Sequence, residues 1–218
     1  MRTRCQPRVE IFLGSRQLNS SKADGVKTEL RSPVTDFFFQ RIEFIRMHVS
    51  HLTELPPQHT LTLASEAATQ RLGATLSALL APGTVIWLEG DLGAGKTTLV
   101  RAILKSAGET GAVKSPTYTL VEVHPISGLN FYHFDFYRFI AAEEYLDAGL
   151  DEYFDGTGIC LVEWPDKAAP YLPDADLRIL LSADAKGNDG IRIASFIANT
   201  ERGNQCLNAI FPLNAAPP

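Results

Sequence analysis

Long apolar runs are missing from this sequence. No stretch approaches the roughly 18–20 residues that a membrane-crossing helix needs, so the expectation is a soluble, cytoplasmic chain with no membrane partner. Cysteine is scarce. Cys5, Cys160 and Cys206 make an odd count with no close pair and no CxxC. That argues against a disulfide framework or a zinc site and fits a reducing compartment. Cys160 sits in the apolar run 159–162 and reads as a small buried hydrophobe. Internal repeats and low-complexity tracts are lacking too. Positive charge is short over most of the chain. Residues 47–218 carry eleven Lys/Arg against twenty Asp/Glu, whereas residues 1–46 carry nine against five. An acidic main domain is a poor candidate for gripping nucleic acid unaided, so any RNA is expected to reach it through a partner.

What is present is enough apolar material, 45% of 218 residues, to bury a core. Residues 1–57 differ from the rest. They are Arg/Ser-containing, hold one apolar cluster around Phe37, Phe38 and Phe39, and end in Pro56-Pro57. The favoured reading is a disordered extension or the product of an upstream start, since Met47 opens a plausible shorter chain. Five acids among its first 46 residues weigh against a targeting peptide. A domain over 58–199 follows, then a loose tail over 200–218. Within the domain, 61–63 reads as a strand. Ser65 caps a helix running to about Leu80, with Leu72, Leu76, Leu79 and Leu80 on one face. Strands are expected at 85–88, 118–123, 131–134 and 159–162, with a helix at 141–154 and a closing hairpin of 177–181 with 191–196. The acidic side of 141–154 reads as a solvated face, with a partner contact as the alternative.

Gly90-Asp91-Leu92-Gly93-Ala94-Gly95-Lys96-Thr97 matches G-x-x-x-x-G-K-[ST]. A buried strand precedes it and an amphipathic helix begins at Lys96, with Leu99, Val100, Ile103, Leu104 and Ala107 as its stripe. Both flanks are what phosphate binding requires. Glycines let backbone N–H groups turn inward into an anion-binding nest, and the helix points its partial positive end at the same place. Lys96 supplies a point charge for β- and γ-phosphates, and the Thr97 hydroxyl is placed to ligate Mg²⁺. A second metal anchor is expected at the end of a neighbouring strand. Glu163 closes the apolar run Ile159-Cys160-Leu161-Val162. Asp135 follows another such run and competes for the role. One of the two would hold the metal while the other orients water. ATP is favoured over GTP because no [NT]-K-x-D guanine-reading pattern occurs.

Four segments together are more specific than the loop alone: GDLGAGKTT at 90–98, KSPTYTLVE at 114–122, HFDFYR at 133–138 and CLVEWP at 160–165. In this order and spacing the chain resembles the TsaE family, also called YjeE, over about residues 60–195. The resemblance implies an α/β fold: a single P-loop NTPase domain with a mixed central β-sheet flanked by helices. It implies a Mg²⁺-dependent ATPase needed for threonylcarbamoyl modification of adenosine 37 in tRNA, working with a TsaB–TsaD heterodimer and touching tRNA only through that complex. Asp135 would be the essential acid, Glu163 the Mg²⁺ ligand with Thr97, and 114–119 a switch segment with Ser115 and Thr117 as its polar groups. Asp91, Leu92, Gly93, Ala94, Gly95, Lys96, Thr97 and Thr98 would surround the phosphates. Trp164 would lie beside the nucleotide, and Ser65 and Glu66 near the adenine. One departure stands out. Family members often carry Gly-Arg where this chain has Gly187-Asn188-Asp189-Gly190, so Arg192 or Lys186 substitutes or the contact is absent.

Blander readings apply to several residues. Tyr118, Tyr132, Phe134 and Tyr137 taken singly read as core aromatics, and His133 as a packed or hydrogen-bonded residue rather than a general base. His48, His51 and His59 suggest nothing specific. A small-molecule kinase is the rival function, but only Arg138, Lys114 and Lys167 are basic between Gly111 and Asp176, sparse for a phosphoryl-clamping lid. A nucleotide-gated scaffold, with hydrolysis incidental, is the third reading.

Overall fold

The computed structural model describes residues 59–184 and 190–212. The extension expected over 1–57, together with Lys186, Gly187, Asn188 and Asp189, lies outside them. Alternating and fully apolar segments form seven strands: β1 (His59–Leu63), β2 (Val85–Glu89), β3 (Val121–Ile126), β4 (Leu129–Asp135), β5 (Ile159–Glu163), β6 (Leu177–Ala183) and β7 (Arg192–Ala198). They make one mixed sheet in the order β1-β7-β6-β2-β5-β4-β3. The inner strands β6, β2, β5 and β4 run parallel, and β3, β7 and β1 join antiparallel. β5 is buried at every position, as a central parallel strand must be.

Helix α1 (Glu66–Ser77) starts at Ser65, whose hydroxyl accepts the Ala68 N–H at 3.3 Å. It ends a turn before the expected Leu80. Helix α2 (Lys96–Ala107) begins where the motif places it. Its Leu99, Val100, Ile103 and Leu104 are fully buried against Ile86, Leu88, Ile159 and Leu161. Each such side chain contributes roughly 1.5–3 kcal/mol. The opposite face of the sheet holds an aromatic core, in which Phe134 stacks on Phe154 at 5.1 Å and Phe136 on Phe139 at 4.9 Å.

Three expectations change. The helix expected over 141–154 is broken at Gly149, whose φ of +63° leaves the helical region. Two short pieces result: α3 (Glu144–Asp147) and a 3₁₀ turn (Leu150–Phe154). The strand expected from Tyr118 starts only at Val121, because Leu120 adopts φ +65° in a turn closed by Leu120 N–H donating to Pro116 C=O at 2.7 Å. Tyr118 is therefore 84% exposed, not core.

The tail expected to be loose from residue 200 instead contains helix α4 (Glu201–Ile210). Its N-cap Thr200 accepts the Gly203 N–H at 3.2 Å. Asp176 clasps this helix to the sheet. Its carboxylate accepts from Thr200 Oγ1 at 2.6 Å, Arg202 Nη1 at 3.3 Å and the Val85 N–H at 2.9 Å. A Cβ on Gly203 would meet the Asp176 carbonyl at 2.0 Å, so glycine allows the close approach. Cys206 and Leu207 are buried beneath the helix. Asp176→Ala should lower unfolding free energy by about 2–3 kcal/mol, because it strands a half-buried amide as well as losing the clasp. The urea midpoint measures this, and an unchanged midpoint would show that α4 is held by apolar contact alone.

Candidate nucleotide site

The loop between β2 and α2 owes its shape to three glycines. Gly93 and Gly95 hold φ of +78° and +104°, and a Cβ built on either meets nothing within 4 Å. There the requirement is backbone conformation. At Gly90, φ is +124° and a Cβ would sit 2.0 Å from the Leu181 carbonyl, so the requirement is close approach to β6. Gly95 caps α2 without any side-chain hydrogen bond, and the helix has no acid in its first turn. Its leading N–H groups are thus available to an anion.

Lys96 is buried and folds back over the loop. Its Nζ donates to the carbonyls of Gly90 at 2.5 Å and Asp91 at 2.9 Å and lies 3.8 Å from the centre of the Trp164 ring. Burial pushes the Lys96 ammonium below its ordinary value, against the opposing pull of Glu163, Asp135, Asp91 and Asp166. Trp164 reaches this position because its own φ is +58° directly after β5. Its ring lies 5.0 Å from that of Tyr137.

Two acid-centred groups meet beside the loop. In the first, Thr97 Oγ1 donates to Glu163 Oε2 at 3.0 Å, and His133 Nε2 meets Glu163 Oε1 at 2.8 Å. In the second, Asp135 Oδ2 accepts from Ser115 Oγ and from Thr117 Oγ1 at 2.8 Å, while Oδ1 accepts the Tyr137 N–H at 3.0 Å. Parallel pairing of β4 with β5 sets Asp135 opposite Glu163. The competition left open between these acids is thereby given a geometry, since Glu163 bonds to Thr97 and Asp135 to 115 and 117. The oxygen donors of Thr97 and Glu163 suit a small hard divalent cation.

These residues line a cavity of about 300 Å³ that includes Leu92, Gly93, Gly95, Lys96, Thr97, Thr98, Ser115, Thr117, Asp135, Tyr137, Glu163 and Trp164. A second cavity, about 220 Å³, holds Ser65, Glu66, Thr69, Ala94 and Arg192 and shares Gly93, Gly95 and Thr98 with the first. Ser65 and Glu66 therefore stand across the loop from the two acids. Of the two candidates for the missing Arg contact, Arg192 is at the loop, its Nη2 donating to the Gly93 carbonyl at 3.4 Å; Lys186 is outside the described residues. Tyr137, read as core, is 42% exposed and faces the first cavity. Tyr132 and Phe134 are buried as expected, and burial pushes the Cys160 thiol up to about 12. The His133 contact to Glu163 spans thirty residues and left no local signal beyond the HFD spacing.

A Gly90→Ala chain should lose about 1–3 kcal/mol of stability and bind polyphosphates poorly, as read by thermal denaturation with and without tripolyphosphate. Wild-type values in both would show that the loop and β6 can separate at little cost.

The family model for "Threonylcarbamoyl adenosine biosynthesis protein TsaE" matches residues 63–191. The tRNA threonylcarbamoyladenosine biosynthesis protein TsaE of Haemophilus influenzae is 46% identical over 125 residues, 57% of this chain and 77% of the relative. The protein of the same name from Bacillus subtilis is 40% identical over 130 residues, 60% of this chain and 79% of the relative. The crystal structure of Bacillus subtilis YdiB superposes with a TM-score of 0.58 at 32% identity, covering 69% of this chain and 92% of that one. With the family model spanning more than half of its length, and with the mixed sheet and loop these relatives imply, the chain belongs to the TsaE family of threonylcarbamoyl adenosine biosynthesis proteins.

Proposed function

We propose that the chain is a Mg²⁺-dependent ATPase that serves threonylcarbamoyl modification of adenosine 37 in tRNA by switching a TsaB–TsaD partner complex, in the cytoplasm. The observation that carries this reading is the convergence of two acid groups, Thr97–Glu163 and Ser115–Thr117–Asp135, on one cavity at the glycine loop. The family supplies the pathway, and the geometry supports a hydrolytic role within it.

In this reading the loop amides and the start of α2 receive the triphosphate. Lys96 exchanges its two carbonyl contacts for phosphate oxygens, and Trp164 shields it from water. Thr97 and Glu163 would hold Mg²⁺, which would supply positive charge to offset that of the triphosphate. His133 keeps the Glu163 carboxylate aimed at Thr97. Asp135 orients water toward the γ-phosphate and accepts its proton. Ser115 and Thr117 bond Asp135, so loss of the γ-phosphate would release the segment they belong to. Tyr118, 84% exposed and next to Thr117, offers the partner a surface that responds to the nucleotide. The acidic domain keeps tRNA contact with the partner complex. Ser65, Glu66 and Arg192 line the cavity assigned to the adenosine end.

Asp135→Asn should leave ATP affinity within a few-fold of wild type while phosphate release falls about 10²–10⁴-fold. Equal turnover in both chains would remove Asp135 from the chemistry and favour a nucleotide-gated scaffold. The wild-type chain should hydrolyse ATP weakly alone and several-fold faster with the TsaB–TsaD pair. Full-speed turnover indifferent to the pair, or transfer of the γ-phosphate to a metabolite, would sink the switch reading and favour a kinase.

A further inference from the structure

Glu122 and His124 on the edge strand β3 take no part in the nucleotide reading, and His133 on β4 enters it only through the ring nitrogen that meets Glu163. Glu122 and His124 lie two residues apart on β3, hence on one face. His133 stands opposite Glu122 on β4. The three offer one ligand atom each, all within 4.8 Å of one another. His124 and His133 are 5% and 0% exposed.

Each imidazole is committed on one side only. His124 Nδ1 meets Glu109 Oε2 at 2.9 Å, and the other oxygen of that carboxylate accepts the Gly111 N–H at 2.6 Å. His133 Nε2 meets Glu163 Oε1 at 2.8 Å. A carboxylate partner takes an N–H, so in the neutral ring, the form that ligates a metal, the opposite nitrogen carries the lone pair. Those nitrogens, His124 Nε2 and His133 Nδ1, are buried and have no hydrogen-bond partner among the described residues. Glu122 Oε2 lies 3.8 Å from His124 Nε2, beyond hydrogen-bond range. A buried ring nitrogen kept from water and from any hydrogen-bond partner is costly. A ring whose far N–H is held by a carboxylate is the arrangement that orients histidine toward a metal ion.

We propose that Glu122, His124 and His133 form a transition-metal site, with two imidazoles and one carboxylate as ligands and water completing the shell. Nitrogen donors select Zn²⁺, or Co²⁺ and Ni²⁺ in its place, over Mg²⁺. The site is thus chemically distinct from the oxygen donors of Thr97 and Glu163. Ligands at about 2.0–2.2 Å from an ion stand closer together than these atoms do now. The Glu122 side chain, 43% exposed, makes the closing movement and is the route by which ion and water enter. His133 then lies between the new ion and Glu163, touching one on each side of its ring. The site is read from binding alone and stands whether or not the neighbouring cavity takes ATP.

The test is titration of the full chain, stripped with a chelator, by Co²⁺ in excess Mg²⁺, followed through visible d–d absorption. The expected result is one saturable equivalent with the intensity of a nitrogen-ligated, low-coordinate ion, displaced by Zn²⁺. His124→Ala should abolish it, and Glu109→Gln should weaken it about 10–100-fold. Glu122→Gln, at a half-exposed position, should weaken it at least tenfold and serves if His124→Ala does not fold. No saturable spectrum in the wild type, or wild-type affinity in either the His124→Ala or the Glu122→Gln chain, would overturn the site.

Discussion

A buried carboxylate at the end of a central strand sets the terms for everything around it. Glu163 is 2% exposed, and both of its oxygens are engaged, one by Thr97 at the head of α2 and one by His133 in the middle of β4. An anion in such a place must be paired or coordinated. The contacts that stabilise it therefore tie the helix after the loop to two neighbouring strands. Register is part of the same constraint. Leu88 of β2 and Asp135 of β4 both stand opposite Glu163, and a slip of β4 by one residue would turn Asp135 and His133 to the aromatic face, away from Glu163.

The loop and its flanks were readable in the sequence because their physics is local. Glycines at fixed offsets, a lysine and a threonine opening an amphipathic helix, and an apolar strand just before all lie within about twenty residues. Ser65 was readable for the same reason, its cap reaching only to Ala68. The strand ends nominated Asp135 and Glu163 without separating them, and only the family resemblance gave them different roles, because separation depends on which hydroxyl each one meets across the sheet. His133 was recognised as a bonded residue, while its partner lay thirty positions away.

The misreadings share one cause. Helix α4 is polar along much of its length and contains Gly203, which local propensity counts against a helix. What makes it form is the Asp176 clasp and a close approach that only glycine permits. Tyr118 sits in a motif rich in strand-forming residues, yet the positive φ of Leu120 turns the chain before β3 starts and leaves the ring outside, under the Arg138 guanidinium at 4.1 Å. The 141–154 segment has a helical pattern interrupted at Gly149. In each case a contact or a turn decided what periodicity suggested otherwise.

The order of strands carries a consequence for how the chain is made. β1 is the first described strand and its one neighbour in the sheet is β7, the last. During synthesis the glycine loop, α2 and the parallel core can assemble as they emerge, but β1 has no strand to pair with until residues 192–198 have left the ribosome. Until then its backbone groups and Leu63, which ends up buried, are open to other chains. The seam between β1 and β7 closes late, so the cavity that holds Ser65 on one side and Arg192 on the other exists only once β7 has been made and paired.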